Sequence, residues 1–222
     1  MEYGSRLAIP VAAANGRGDF HIGTGFLGRR VDGQAGLYTS AHVPTNAQPR
    51  HTANWRGWPE TILACLSPTE SIEVPLFLGT GGRREPAFAF IEGEGRRLAD
   101  MMGFVGPQFA SVTVKLMERY EVADLGDVVG SNGGGGLELV CHGYPDLGGG
   151  AKWPYAPPSV VNGQFTGINQ SGPMIEADMA TEKGFSGGPV LMEDGSLAGM
   201  LIGDTDGKAR IVPRQVLALL GG

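Results

Sequence analysis

Short apolar segments separated by glycine and proline are the feature that most limits how this chain can fold. The 222 residues include 38 glycines and 15 prolines, so turn signals interrupt the apolar runs about every 8–12 residues. Such spacing is typical of a β-sandwich or a β-barrel. A parallel sheet would need crossover helices, and no stretch shows helical periodicity over a sufficient length. With 41% hydrophobic residues for a large core, the sequence predicts an all-β fold.

Two groups of about six predicted strands divide the chain, with a charged, glycine-containing segment at 93–107 between them. The second group begins with Phe109–Met117, where apolar residues alternate as they do in a strand. We therefore expect one domain at residues 1–104 and a second at residues 105–222. The stretch from Pro213 to Gly221 predicts a short C-terminal helix, because proline suits a first helical turn and glycine follows helix ends.

Charge, cysteines and histidines exclude several classes of protein. A formal net charge of −6 leaves no basic excess to neutralise phosphates, which excludes a typical nucleic-acid binder. No apolar stretch reaches about 18 residues and no signal peptide is visible, so we expect no membrane partner and a cytoplasmic location, although a segment of a longer chain would look the same. Cys65 and Cys141 are expected as buried thiols in preference to one disulfide. His21, His51 and His142 have no second ligand at metal spacing, so no metal or other cofactor is expected.

The stretch Lys183–Val190 carries the strongest chemical signal in the sequence. Its serine stands between glycines and is followed by an apolar run that predicts a strand. A glycine-rich bend can direct two amide N–H groups at one point. Acyl transfer needs such donors for the developing oxyanion, next to a hydroxyl nucleophile. By itself, the stretch is equally compatible with an ordinary glycine-rich turn before a strand.

A second motif lies in the first half of the chain. Thr39–His42 ends a predicted strand, and Gly23–Phe26 lies shortly upstream. A lone histidine at a strand end is more often a surface or core residue than a catalyst. Together with Lys183–Val190, however, these segments resemble the trypsin-like (chymotrypsin-fold) serine peptidases, and most closely the bacterial HtrA-type and glutamyl-endopeptidase-like branch. The resemblance implies two six-stranded antiparallel β-barrels with the active site between them, followed by the short C-terminal helix.

The resemblance also implies roles for individual residues. Ser186 matches the nucleophile, His42 the general base, and the backbone N–H groups of Gly184 and Ser186 the oxyanion hole. A serine hydroxyl needs such an imidazole to take its proton before it can attack a carbonyl group. The position at the base of the substrate pocket holds no acid, so a strong preference for Arg or Lys is not expected. The residues that match this pocket are Ala180, Thr181, Ile202 and Gly203.

The acid of the triad is the point at which the sequence departs from the family. The family's aspartate begins a strand of the pattern Asp-apolar-Ala-apolar-apolar, and the matching stretch here is Ala87–Ile91. Ala87 therefore stands where the acid is expected, and loss of the acid slows a comparable protease about ten-thousand-fold. Three explanations stay open: an engineered acid-to-alanine exchange, which is favoured; another acid, with Glu85 as the first candidate; or a natural dyad or pseudoenzyme.

Phe185 is a second departure, because secreted digestive members carry an aspartate before the nucleophile. Activation by a newly cleaved N-terminus is therefore not expected, and control would come from loop ordering or a regulatory protein partner. We expect a serine endopeptidase that hydrolyses peptide or protein substrates through an acyl-enzyme on Ser186, here in an inactive acid-to-alanine form. The alternative is a non-catalytic, peptide-binding module descended from such a peptidase.

Overall fold

The strands and helices of the chain are taken from a computed structural model. It describes residues 6–14, 20–45, 58–67, 69–80, 83–90, 100–126, 137–146, 158–168, 174–205 and 207–220. No helix within these ranges is long and apolar enough to cross a membrane.

The strands of the first half are β1 (Ile9–Ala14), β2 (Phe20–Arg29), β3 (Ala35–Thr39), β4 (Thr61–Ser67), β5 (Glu70–Pro75), β6 (Phe77–Thr80), β7 (Arg83–Pro86), β8 (Ala89–Phe90), β9 (Met102–Phe104) and β10 (Val122–Asp124). Those of the second half are β11 (Glu138–Gly143), β12 (Ser159–Ile168), β13 (Ile175–Met179), β14 (Pro189–Met192), β15 (Leu197–Thr205) and β16 (Lys208–Pro213). The helices are α1 (His42–Thr45), α2 (Ala110–Met117) and α3 (Arg214–Leu217), and a 3-10 turn spans Pro107–Phe109.

The second half forms a closed antiparallel barrel in the order β11-β12-β13-β16-β15-β14. Cys141 on β11 pairs with Val161 on one side and with Val190 on the other, which closes the ring of strands. Alternate residues of these strands point inward and fill the barrel, as expected for a small barrel without a lumen. The buried residues that share this interior are Leu139, Cys141, Ala177, Met179, Phe185, Val190, Ala198, Leu201, Ala209 and Ile211.

The first half forms a half-barrel in the order β5-β4-β1-β2-β3-β9-β8, with β10 parallel to β2. Among the described strands, β6 and β7 pair only with each other, as a separate hairpin. Four aromatic side chains fill part of the core of the half-barrel, with the ring centroids of neighbouring pairs 5.3–6.4 Å apart; these are Phe77, Phe88, Phe104 and Phe109. With the closed barrel, this half-barrel gives the chymotrypsin-like double-barrel architecture that the sequence predicts.

A second apolar cluster joins the two halves. Phe26 and Tyr38 of the half-barrel stack with their ring centroids 5.7 Å apart, and both are fully buried. They share this cluster with residues of the closed barrel, of α3 and of the turn after it, namely Leu191, Leu197, Met200, Val212, Leu217 and Leu220. The predicted C-terminal helix is confirmed. Its buried face packs against residues of both halves. Burial of this much apolar surface fixes the halves relative to each other.

The predicted strand at Phe109–Met117 is wrong, because most of this segment is α2. Phe109, Val112 and Leu116 are buried, and they recur at the spacing of one helix face. In a strand, Val114 would lie on the same side as Val112 and Leu116, yet it is 58% exposed. The alternation seen in the sequence therefore came from a solvent-facing valine between two core residues.

The predicted connection at 93–107 is also wrong over its described part, which begins at residue 100. β9 (Met102–Phe104) pairs with β3, and Met101, Met102 and Phe104 are fully buried in the core. A strand of three residues is too short to show periodicity, and the glycines around it suggested a linker. Residues 91–99 lie outside the described part of the chain.

Both cysteines are buried free thiols. Cys65 lies on β4 of the half-barrel and Cys141 on β11 of the closed barrel. Burial raises the pKa of both thiols, which disfavours the reactive thiolate form.

Candidate active site

His42 begins α1, three residues after the end of β3, and its ring is paired with a carboxylate. Its Nδ1 lies 2.7 Å from Asp100 Oδ2, and its backbone N–H donates to Asp100 Oδ1 at 2.9 Å. With Nδ1–H donating to the carboxylate, Nε2 is left as the proton acceptor of the ring. The side chain of His42 is 29% exposed and that of Asp100 is 18% exposed. The pair is therefore sheltered, but still accessible to a reactant.

The register of β3 and β9 explains why Asp100 reaches His42. Thr39 lies opposite Met102 in this antiparallel pair. Ala41 is two residues after Thr39, and Asp100 is two residues before Met102, so these residues are also opposite each other. The Ala41 N–H accordingly donates to the Asp100 carbonyl at 3.2 Å. The pairing of the two strands therefore places the Asp100 carboxylate beside His42, the residue that follows Ala41.

The assignment of the acid position to Ala87 is corrected by this contact. Ala87 is 6% exposed, packs in the core of the half-barrel and donates its N–H to the Leu76 carbonyl. Glu85 lies opposite Leu78 in the separate β6–β7 hairpin. Because Asp100 occupies the place beside the His42 ring, the inference that the site lacks its acid is wrong.

We expect Ala87→Asp to destabilise the protein without raising its activity. A carboxylate at this buried position would have no partner, which costs about 3 kcal/mol of unfolding free energy. Urea unfolding at neutral pH measures this cost. Ala110→Asp is the matched control, because Ala110 is exposed at the start of α2, where a negative charge is tolerated. Faster reaction of Ala87→Asp with a serine-directed probe would contradict the corrected assignment.

Two consecutive hydrogen-bonded turns span Glu182–Gly188 and are called the serine turn; Ser186 lies in the second of them, where the Gly188 N–H donates to the Phe185 carbonyl at 2.8 Å. The Phe185 N–H donates to the Glu182 carbonyl at 3.2 Å, and Gly184 between them has a φ of +93°. A bond between the first and fourth residues, with positive φ at the third, is the pattern of a type II turn. Glycine adopts this φ without the strain that a side chain would add. The turn therefore presents the backbone of Gly184 and Ser186 in a defined arrangement.

The orientation of the Lys183–Gly184 peptide is fixed from outside the turn. The Asp146 N–H donates to the Lys183 carbonyl at 2.8 Å. Because a trans peptide places its N–H opposite its carbonyl, the Gly184 N–H is directed away from Asp146. A Cβ on Gly184 would lie 2.1 Å from the Tyr144 carbonyl oxygen and 2.5 Å from the Asp146 nitrogen. Only glycine fits here.

The serine turn and the histidine meet where the half-barrel faces the closed barrel. The Thr24 N–H on β2 donates to the Ser186 carbonyl at 2.9 Å. A Cβ on neighbouring Gly23 would lie 2.4 Å from Val43 Cγ2 and 3.2 Å from the Ser186 carbonyl oxygen. Val43 directly follows His42. The structure therefore brings the backbone of Ser186 to the segment that carries the histidine.

His21 lies beside His42. From the sequence, His21 was assessed only as a possible metal ligand. The two ring centroids are 6.4 Å apart in an edge-on arrangement. Burial is the main cause that lowers the pKa of His21, and His42 and Lys183 lower it further, while Asp146 opposes them. At neutral pH, His21 therefore places an uncharged ring against His42. Among the described residues, no group of three or more His, Cys, Asp or Glu is placed to hold a metal.

The predicted pocket residues lie on two neighbouring segments. Thr181 Oγ1 donates to Asp204 Oδ2 at 3.3 Å, which places the segment after β13 beside β15. Gly203 on β15 has a φ of +135° and Ile202 is half-buried, while Ala180 is exposed. The two segments contact each other through the carboxylate of Asp204.

A buried histidine lies behind the serine turn. His142 on β11 is 7% exposed, and its Nδ1 has no hydrogen-bond partner among the described residues. Burial lowers the pKa of its imidazole. Its carbonyl oxygen lies 2.4 Å from a Cβ position on Gly188, so β11 and the residues after the serine pack closely.

The free energy of unfolding should therefore fall as the pH drops below about 6.5. An imidazole whose pKa is lowered in the folded protein takes up its proton first in the unfolded chain. The contribution of this imidazole to the free energy of unfolding is complete above the unfolded-state pKa and is lost on acidification. In urea unfolding between about pH 7.5 and 5.5, His142→Gln should show a shallower decline than the wild type. An equally steep decline would show that His142 takes up its proton at the same pH in the folded and unfolded states.

No protein-family model and no curated protein matches the sequence. The structure, by contrast, is similar to solved serine proteases. The active form of the Rv3671c protease from M. tuberculosis matches with a TM-score of 0.52 and 15% identity, over 97% of this chain and 79% of that chain. Its inactive form matches with a TM-score of 0.53 and 15% identity, over 99% and 91%. A serine endoprotease from Yersinia pestis matches with a TM-score of 0.56 and 13% identity, over 97% and 61%. The chain thus has the trypsin-like serine protease fold.

Proposed function

We propose that this protein is a serine endopeptidase that cleaves peptide bonds through an acyl-enzyme on Ser186. The observation that carries the proposal is the contact of His42 Nδ1 with Asp100 Oδ2 at 2.7 Å, at the junction where the serine turn meets the half-barrel. A carboxylate that orients an imidazole beside a serine is the arrangement that activates a hydroxyl nucleophile.

The reaction begins when Ser186 Oγ attacks the carbonyl carbon of the scissile bond. His42 Nε2 takes the hydroxyl proton, and Asp100 stabilises the imidazolium that results. The carbonyl oxygen becomes an oxyanion and accepts hydrogen bonds from the Gly184 and Ser186 N–H groups. When the tetrahedral species collapses, the C–N bond breaks and His42 gives its proton to the leaving amine. Water then attacks the ester, with His42 again as the base, and releases the acid and free Ser186.

We expect no strong preference for a positively charged substrate residue before the scissile bond. Ala180 places no acid at the base of the pocket. Thr181 contacts Asp204 at 3.3 Å, and the Asp204 carboxylate, like that of neighbouring Glu182, is exposed. Solvent screens a charge at such a position. We therefore expect a modest effect of Asp204 on substrate choice.

The serine turn is anchored by packing, which supports activity without N-terminal processing. Phe185 is fully buried in the closed barrel. A Cβ on Gly143 would lie 2.5 Å from Phe185 Cγ, so the ring lies directly against this strand. An apolar anchor needs no ammonium partner. The HtrA-type and glutamyl-endopeptidase-like branch, control by a protein partner and a cytoplasmic location remain proposals that rest on the sequence motifs.

The proposal is tested by treating the purified chain with a fluorophosphonate probe and with unfolded casein. We expect covalent labelling of Ser186, located by peptide mass mapping, together with cleavage of the casein. The contact between Asp100 and His42 argues against a non-catalytic peptide-binding module, because that alternative rested on the absence of an acid. A correctly folded chain that neither reacts with the probe nor cleaves casein would restore that alternative.

A further inference from the structure

We propose that Thr24 of the half-barrel is a positioning residue that holds the serine turn of the closed barrel in its reactive conformation. Its catalytic consequence rests on the proposed peptidase function, whereas its structural consequence does not. Thr24 lies on β2, and none of its surface is exposed to solvent. The motif Gly23–Phe26 helped to identify the family, but the resemblance assigned no role to the threonine inside it.

The hydroxyl of Thr24 contacts two segments of the second half at once. Oγ1 donates to the Gly184 carbonyl at 2.7 Å and accepts from the Tyr144 N–H at 2.9 Å. Tyr144 belongs to the same segment as Asp146, whose N–H holds the Lys183 carbonyl. One buried hydroxyl therefore ties the turn to the backbone that supports it. Buried hydrogen bonds of this kind are costly to leave unmade.

The backbone of Thr24 adds two further bonds. Its N–H donates to the Ser186 carbonyl at 2.9 Å, and its carbonyl accepts from Thr39 Oγ1 at 2.7 Å. Thr39 ends β3, the strand that leads to His42. A single residue thus connects the serine turn with the strand that positions the histidine.

The positions of these bonds along the turn explain why they matter. The Gly184 carbonyl belongs to the peptide before Phe185, and the Ser186 carbonyl belongs to the peptide before Gly187. Thr24 therefore fixes a peptide group on each side of the one that carries the Ser186 N–H. Gly184 would otherwise rotate readily, because glycine has several backbone conformations of similar energy. An oxyanion donor is effective only when it is aligned before the reaction.

Thr24→Val and Thr24→Ser separate the hydroxyl from the shape of the side chain. Valine keeps the shape and leaves the Gly184 carbonyl and Tyr144 N–H without their partner, whereas serine keeps the hydroxyl. We expect fluorophosphonate labelling of Thr24→Val to be about 30- to 300-fold slower than wild type, and that of Thr24→Ser to be within about threefold of it. Thr113→Val, a buried exchange on α2, should leave the rate unchanged.

A second readout does not depend on activity. Amide hydrogen exchange, followed by NMR, should be faster at Tyr144 and Phe185 in Thr24→Val than in the wild type and in Thr24→Ser. If Thr24→Val does not fold, the exchange rates of the wild type test the proposal instead. The Tyr144 and Phe185 amides lie outside strands, yet they should exchange as slowly as the amides of β11. A wild type without labelling but with these exchange rates would reject the peptidase proposal and keep the positioning role. Unchanged labelling and exchange in Thr24→Val, or a Thr24→Ser variant that behaves like Thr24→Val, would overturn the role of the hydroxyl.

Discussion

Ser186→Ala is expected to abolish labelling by the fluorophosphonate and to lower the turnover number for peptide hydrolysis by about a millionfold. The reason is that the exchange removes the atom that forms the acyl bond, while the oxyanion donors and the His42–Asp100 pair stay in place. The backbone of the turn should persist, because its bonds to Thr24 and Glu182 involve no atom of the serine side chain. Hydrolysis of a fluorogenic peptide, normalised to folded protein, measures the effect.

Ser111→Ala is the matched control for this prediction. Ser111 is exposed on α2, far along the chain from the serine turn, and the same oxygen atom is removed. Labelling and turnover should equal those of the wild type. Labelling of Ser186→Ala at a wild-type rate would place the nucleophile elsewhere in the chain.

Asp100→Asn is expected to lower the turnover number by about ten-thousand-fold, with little change in KM. An asparagine side chain can still accept the His42 N–H through its oxygen, so the backbone contact of 2.9 Å can persist. Its amide group donates toward Nδ1, however, and this favours the tautomer in which Nε2 carries the proton. That tautomer cannot take the proton of Ser186. Steady-state kinetics with a peptide substrate should show the loss in kcat.

Glu85→Gln tests the acid that the sequence favoured as a substitute. Glu85 is exposed in the β6–β7 hairpin, and its neutralisation should leave kcat and KM unchanged. Near-normal turnover in Asp100→Asn, or an equal loss in Glu85→Gln, would contradict the placement of the acid. Asp100→Asn must also unfold at a urea concentration close to that of the wild type, so that the loss is not one of folded protein.

The fold was predictable because glycine, proline and apolar runs mark its strands locally. Strands such as β2 and β12 are long enough for their boundaries to be visible in the sequence. β9 has only three residues and is defined by its pairing with β3, which is a tertiary contact. α2 was mistaken for a strand because exposed Val114 completed an alternation that the folded chain does not use.

The candidate site was predictable where its chemistry lies within one short segment. Gly184 and Ser186 lie in the serine turn, and His42 lies three residues after the end of β3, so motifs reveal them. Asp100 was not recognised because the apolar segment at Ala87 matches the strand pattern of the trypsin-like peptidases, and because Asp100 itself precedes a strand of only three residues. The role of Thr24 depends on a hydrogen bond to a residue 160 positions away. Such a partner follows from the packing of the two halves and not from local pattern.

The central claim is that Ser186 forms an acyl-enzyme, and the most direct measurement is the mass of the intact protein during turnover. The chain is mixed with a peptide ester, quenched in acid after a short interval and weighed by mass spectrometry. Acid stops the second step because general-base activation of water needs an unprotonated base. The account predicts a population heavier by one acyl group, carried on Ser186 and absent from Ser186→Ala. A folded chain that hydrolyses the ester without any adduct on Ser186 would contradict it.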